Sequence, residues 1–158
     1  MGVNAARTTV LGYLGRALSL ELSAVQQYST HAHLAQIWGL ADVADKFRNE
    51  SREEMGHVER IIARMLSLGG VPNASMLRPA QVGSNLIELL HKSHQLEHEL
   101  VQLYSQAVEF CRRNADSDNR MFFETLLAEE QSHGVELASW IERIQGHQNA
   151  RPTHGATF

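Results

Sequence analysis

Six residues of this chain form one pattern written twice. Glu21 is followed 33 residues later by Glu54 and then by His57; Glu97 is followed 33 residues later by Glu130 and then by His133, the second set lying 76 residues after the first. A lone Glu-x-x-His would carry little weight in a chain with 14 Glu and nine His. Two copies, each with a partner glutamate at the same distance, restrict the fold far more. One Glu from each of two helices plus two Glu-x-x-His pairs is the ligand set of a di-metal carboxylate site inside a four-helix bundle.

The rest of the chain supplies those helices. Its three prolines are Pro72, Pro79 and Pro152, which leaves a long tract on either side of the first two free of helix breakers. In the first tract Leu14, Leu18, Glu21, Val25, Tyr28, Ala32 and Ala35 alternate steps of four and three, the seam of a bundle helix. Trp38-Gly39-Leu40 interrupts it, and a second seam runs through Val43, Phe47, Glu50, Glu54, His57 and Ile61 to Leu68, where Gly69-Gly70 and Pro72 end it. The third seam is Leu90, His94, Glu97, Val101, Tyr104, Val108 and Cys111. Asn114 to Asp118 supplies a turn and an N-cap, and Phe123, Leu127, Glu130, Leu137, Ile141 and Ile144 form the fourth.

In an antiparallel hairpin, residues equidistant from the turn share a height. Glu21 and Glu54 are centred on Ile37 and Trp38, and Glu97 and Glu130 on Arg113 and Asn114, which are the two expected turns. Each pair therefore faces across its hairpin, and all four carboxylates meet in one layer, with His57 and His133 one turn further on the same faces. The link from Gly69 to Gly83 holds Gly, Pro, Asn and Ser. Its ~14 residues reach ~46 Å when extended, enough to run beside a helix of ~30 residues and ~45 Å. The expected fold is all-α, a ferritin-like four-helix bundle with a long crossover between helices two and three, spanning 1–146 and followed by a mobile tail, 147–158.

Composition narrows the chemistry. Cys111 is the only cysteine, so no disulfide or thiolate metal site forms within the chain, and any metal takes oxygen and imidazole ligands. The formal charge of -4, with scattered basic residues, argues against a nucleic-acid partner. No leader pattern and no apolar run of membrane-spanning length is visible, which reads as a soluble cytoplasmic protein without a membrane partner. Four carboxylates buried together need counter-charges, and two divalent cations supply them. Oxygen and imidazole ligands suit iron or manganese, with zinc a competitor; a pair of irons under bridging carboxylates can pass two electrons to dioxygen or peroxide.

At Leu18-Ser19-Leu20-Glu21-Leu22, Gln27-Tyr28, Trp38-Gly39-Leu40, Glu53-Glu54-Met55-Gly56-His57, Gly69-Gly70-Val71-Pro72-Asn73 and Glu129-Glu130-Gln131-Ser132-His133, the chain resembles the bacterioferritin family. The likeness covers roughly Leu11 to Gln145. It implies a ferroxidase centre with two iron ions per subunit, one held by Glu21 with His57 and one by Glu97 with His133, bridged by Glu54 and Glu130. The implied reaction is oxidation of Fe(II) by dioxygen or hydrogen peroxide, with Fe(III) mineral stored in a homo-oligomeric shell of twenty-four subunits built from dimers. A ferredoxin-type electron donor for iron release is implied in turn. Tyr28 matches a tyrosine beside the centre that could hydrogen-bond a carboxylate or donate an electron. Met55 matches the methionine that binds haem b, one from each of two subunits; as the neighbour of Glu54 it points about 100° from the metal seam.

Some positions depart from the family pattern. Asn49 and Glu53 stand where some members carry His and Asp for an inner-surface iron site, Gly56 where a Lys is often found near the haem, and Pro152 conflicts with a regular fifth helix. His94 on the third seam reads as a packed histidine beside the centre, and Glu50 as a candidate on an iron entry route. Two other functions use the same bundle: a di-iron peroxidase or oxygenase that does not store iron, and a non-catalytic bundle that carries haem.

Overall fold

The computed structural model describes residues 2–149. Four helices follow in order, α1 Val3–Ile37, α2 Ala41–Ser67, α3 Leu86–Arg113 and α4 Ser117–Asn149, and no strand occurs among the described residues. α1 packs on α2 and α3 on α4 as two hairpins, and α1 also packs on α3. α4 continues three residues past the expected end of the bundle at 146. The remainder of the expected tail, 150–158 with Pro152, lies outside the described residues.

The helix ends are made by local chemistry. Gly39 and Gly69 take the left-handed backbone, with φ of 76° and 77°, and let Leu40 N–H reach Ala35 O at 2.9 Å and Gly70 N–H reach Met65 O at 2.9 Å. At the second hairpin Asp116 caps α4, its Oδ1 accepting from Asn119 N at 3.1 Å. α3 starts at Asn85, whose side chain accepts from Glu88 N at 3.0 Å.

The crossover, residues 68–85, is tied along α1 by a polar stripe. Ser19 Oγ accepts from Met76 N (3.3 Å), Ser23 Oγ from Arg78 N (3.0 Å) and Gln27 Oε1 from Gln81 N (3.1 Å), while His31 Nε2 lies 2.7 Å from Gln81 O. These four residues are spaced by four, one per helical turn, and all are buried. They satisfy loop amides that would otherwise face a helix unpaired. The loop therefore climbs α1 from Gly70, packed against Leu11, to His31, which also meets Ser93 of α3 at 3.1 Å. Tyr28 then contacts Glu97, and Tyr104 contacts Glu21, so α3 descends antiparallel to α1.

The seams face inward. Leu14, Leu18, Phe47, Ile61, Leu90, Leu100, Phe123 and Leu126 are buried, each contributing roughly 1.5–3 kcal/mol of apolar transfer. The expected seam positions Val25, Val43, Val101, Val108 and Leu127 are only half-buried; Ala24, Ala44, Leu100, Ala107 and Leu126 hold the inner positions, because a step of three or four places either neighbour near the core.

Ala115, between α3 and α4, has φ of 54° and closes the turn with Asp116 N–H donating to Cys111 O at 2.9 Å. A left-handed backbone costs a non-glycine residue roughly 1–2 kcal/mol. Ala115→Gly is expected to stabilise the protein by about 0.5 kcal/mol or more in urea unfolding, after allowing for glycine's greater freedom when unfolded. A destabilised variant would contradict this account of the turn.

Candidate metal centre

All six repeated residues meet in one layer at mid-bundle. Glu21, Glu54, Glu97 and Glu130 are at most 1% exposed, and His57 and His133 are buried. Ligand atoms of Glu21, Glu54, His57 and Glu130 lie within 4.8 Å of one another, and so do those of Glu54, Glu97, Glu130 and His133. Glu54 and Glu130 belong to both groups. Glu54 Oε2 is 3.1 Å from His57 Nδ1 and its Oε1 is 3.1 Å from His133 Nδ1; Glu130 Oε1 and Oε2 stand 2.7 and 3.5 Å from the same two nitrogens. The two imidazoles lie nearly parallel, 6.0 Å apart.

Around this layer the hairpins are related by the same 76-residue offset. Tyr28 O–H donates to Glu97 Oε1 at 2.6 Å, and Tyr104 O–H donates to Glu21 Oε1 at 2.5 Å. Phe47 packs on Tyr28 and Phe123 on Tyr104, at centroid distances of 6.2 and 6.3 Å. Outside the layer, His57 Nε2 lies 2.8 Å from Glu129 Oε2, and His133 Nε2 lies 2.8 Å from Glu53 Oε2. With Nε2–H donated outward, Nδ1 faces the four glutamates, carrying a proton while the site holds no cation and able to offer its lone pair once that proton leaves. Tyr104, Glu53 and Glu129 carried no assigned role in the sequence, although adding 76 to Tyr28 and to Glu53 finds both partners.

Charge is divided unequally among the carboxyls. Burial raises Glu21 well above the usual carboxylate range, and the Glu54 charge adds to it. Glu97 is raised by burial first and by the adjoining Glu130 carboxylate second. Burial also acts upward on Glu54 and Glu130, but the adjoining histidines and protonated glutamates outweigh it and keep both ionised. Desolvation disfavours the charged imidazoles, yet the carboxylates close around them, Glu130 foremost, raise His57 strongly and His133 to about 11. Burial and the adjacent carboxylates raise Tyr28 and Tyr104 as well, so both phenols stay protonated donors.

The donor set fits two divalent ions. Glu21 Oε2, Glu54 Oε2, Glu97 Oε2 and both oxygens of Glu130 are buried without a hydrogen-bond partner, an arrangement that costs free energy unless a cation lies against them. Some of these oxygens approach a histidine nitrogen closely, but not at hydrogen-bond angles. With oxygen and imidazole ligands and no thiolate, the cluster suits iron or manganese and would also accept zinc. A surface groove of about 400 Å³, lined by Glu53, Gly56, His57, Arg60, Glu129 and His133, leads to it between α2 and α4.

The other expected residues lie apart. Met55 is 41% exposed on α2, away from the layer. His94 is half-buried and makes no hydrogen bond to the six among the described residues. Glu50 is half-buried, 3.9 Å from His133 Nδ1, with its carboxyl pushed up to about 7 by burial and then by Glu53, Glu54 and Glu136, against the opposing pull of His133.

Fold and cluster together define a ferritin-like bundle with a centre suited to two metal ions. Residues 11–146 match the ferritin-like domain family. The chain is 41% identical over 124 residues to a bacterioferritin of Rhodobacter capsulatus, an overlap of 78% of this chain and 77% of that one. To a bacterioferritin of Brucella melitensis it is 36% identical over 154 residues, covering 93% and 96%. The solved structure of the Rhodobacter capsulatus protein, which has a metal-free dinuclear site and a haem iron on a crystallographic special position, matches with a TM-score of 0.85 at 36% identity over 94% of this chain and 98% of that one. A Mycobacterium tuberculosis bacterioferritin matches with a TM-score of 0.83 at 29% identity, covering 87% of each chain. The chain belongs to the bacterioferritins.

With protons alone as counter-charges, the six residues hold two carboxylates, two carboxylic acids and two imidazoliums. Two divalent ions among four carboxylates and two neutral imidazoles leave the same net charge. Loading is therefore expected to release about four protons per chain near neutral pH, and affinity to rise with pH. Dye-monitored anaerobic titration with Zn(II) checks this; release of about one proton or fewer would contradict the charge assignment.

Proposed function

We propose that this protein is a ferroxidase and iron-storage protein whose six repeated residues hold two Fe(II) ions as substrate. The observation that carries the reading is the sharing of Glu54 and Glu130 between both ligand groups, each offering one oxygen to either side. Glu21 with His57 and Glu97 with His133 complete the two positions. Two Fe(II) ions give up one electron each; dioxygen taking that pair and two protons leaves as hydrogen peroxide, and hydrogen peroxide taking a pair and two protons leaves as two waters. Either oxidant closes the electron balance, and the Fe(III) product is stored as mineral.

The chain's own groups hold and orient the substrate. Tyr28 and Tyr104 donate to Glu97 and Glu21, keeping one oxygen of each carboxylate directed while the other faces the metal position. Glu129 and Glu53 orient the histidines from outside. Tyr28, in hydrogen-bond contact with Glu97 and raised above the ordinary phenol value, is placed to supply an electron only with loss of its proton to that carboxylate.

Storage requires a closed homo-oligomeric shell, which we take to be one of twenty-four subunits assembled from dimers of the bundle, 1–146. The exposure of Met55 suits a haem b ligand shared across a dimer axis, and the haem iron of the Rhodobacter capsulatus structure supports the same reading. A ferredoxin-type donor would reduce the mineral for release. Among the described residues no helix is long and apolar enough to cross a membrane, and a cytoplasmic location is proposed from the storage role.

Incubation with Fe(II) in air is expected to yield a soluble Fe(III) core of many irons per chain, while uptake stopping at about two would remove the storage claim. The double variant Glu54→Ala with Glu130→Ala should slow the initial oxidation by about 100-fold or more, the loss expected when a metal site worth several kcal/mol is dismantled. An unchanged rate would reject the centre.

A further inference from the structure

The 76-residue offset relates the parts of the centre to one another, but it does not extend to the residue that grips an outer glutamate. Arg60 of α2 grips Glu129 of α4 with both terminal nitrogens, Nη2 to Oε2 and Nη1 to Oε1, the latter at 3.3 Å. Glu129 in turn accepts from His57 Nε2 at 2.8 Å. On the other side Glu53 accepts from His133 Nε2 at the same 2.8 Å, but the residue 76 positions after Arg60 is Glu136. Glu136, Glu53 and Glu50 line one groove between α2 and α4, so a carboxylate stands where the repeat would place a cation. Lys46 and Arg143 share that groove but are engaged elsewhere, Lys46 Nζ 4.7 Å from the centre of the Trp140 ring and Arg143 donating to Ser139 Oγ at 2.9 Å. Among the described residues no lysine or arginine pairs with Glu53, which is 58% exposed in its side chain against 41% for Glu129.

We infer that Arg60 is a positioning residue that makes the two metal positions unequal, acting through Glu129 on the ring of His57. This rests on the reading that the six residues hold two metal ions. A guanidinium fork fixes a carboxylate in plane, and a fixed carboxylate holds the imidazole it accepts from in one orientation and one tautomer. His57 is thereby pre-organised toward Glu21, Glu54 and Glu130. His133 depends on Glu53, which no guanidinium anchors and which shares its groove with the carboxyls of Glu50 and Glu136. Glu50, Glu53 and His133 also form a second group able to hold an ion outside the layer, which competes for the same imidazole. The position at Glu21 and His57 is the tighter one, and the position at Glu97 and His133 exchanges.

Anaerobic titration of the assembled protein with Co(II), followed by visible absorption, separates the two positions. Two binding steps about tenfold or more apart are expected, the tight one lost in His57→Ala and the weak one in His133→Ala. Arg60→Gln should weaken the tight step by about 10- to 100-fold and leave the weak one, and Arg60→Lys, which keeps the charge without the fork, should restore only part. Glu136→Arg installs the missing clamp and should tighten the weak step, so the inference is also tested by a gain in a variant whose fold is checked by its helical circular dichroism. Two equal steps in the unmodified protein, or an unchanged tight step in Arg60→Gln, would overturn the inference while leaving the metal centre standing. Failure to bind Co(II) at all would reject the centre and the inference together.

Discussion

Four glutamates buried in one layer of an apolar bundle are the constraint on which this structure turns. An ionised carboxylate removed from water costs several kcal/mol unless it is paired, and here four share a space with few uncharged donors. Two of them, Glu21 and Glu97, are driven by burial toward the protonated form and take a tyrosine hydroxyl each. The other two stay charged against the two imidazoles. This balance is a poor source of stability but a ready site for cations, since every proton and hydrogen bond in it can be exchanged for a metal–ligand bond. The apolar layers to either side, led by Phe47 and Phe123, are what hold the helices together around it.

The crossover makes that layer possible. By running along α1 it delivers α3 antiparallel to α1, and only that order sets Tyr28 against Glu97 and Tyr104 against Glu21. The stripe of Ser19, Ser23, Gln27 and His31 gives the loop its register one helical turn at a time. The resulting pseudo-symmetry extends from the ligands to the tyrosines, the phenylalanines and the outer glutamates. It does not extend to Arg60 and Glu136, which line grooves outside the layer and differ in charge.

Much of this was legible in the residues. The equal 33-residue spacings, centred on turns identified independently, located all six members of the layer, because an antiparallel hairpin converts sequence distance from its turn into height. The length of the Gly69 to Gly83 link foretold the crossover for a similar geometric reason. What was not legible depended on which neighbour covers a surface. Ser19, Ser23 and Gln27 have the composition of a solvated face and are buried only because the crossover lies on them. Glu53 and Glu129 sit beside the ligands in sequence but point outward, so helical periodicity gave them no role; only the reach of a histidine's second nitrogen shows it. Val43 against Ala44, and Leu127 against Leu126, differ by one position within the same stripe, which seam spacing does not resolve.

The central claim is that this layer is a two-ion site bridged by Glu54 and Glu130. Its most direct test is anomalous diffraction at the iron edge from crystals soaked anaerobically with Fe(II). The account predicts two peaks per chain within the bundle, one beside Glu21 and His57 and one beside Glu97 and His133, with Glu54 and Glu130 in contact with both. A single peak, or iron bound only at the bundle surface, would contradict it.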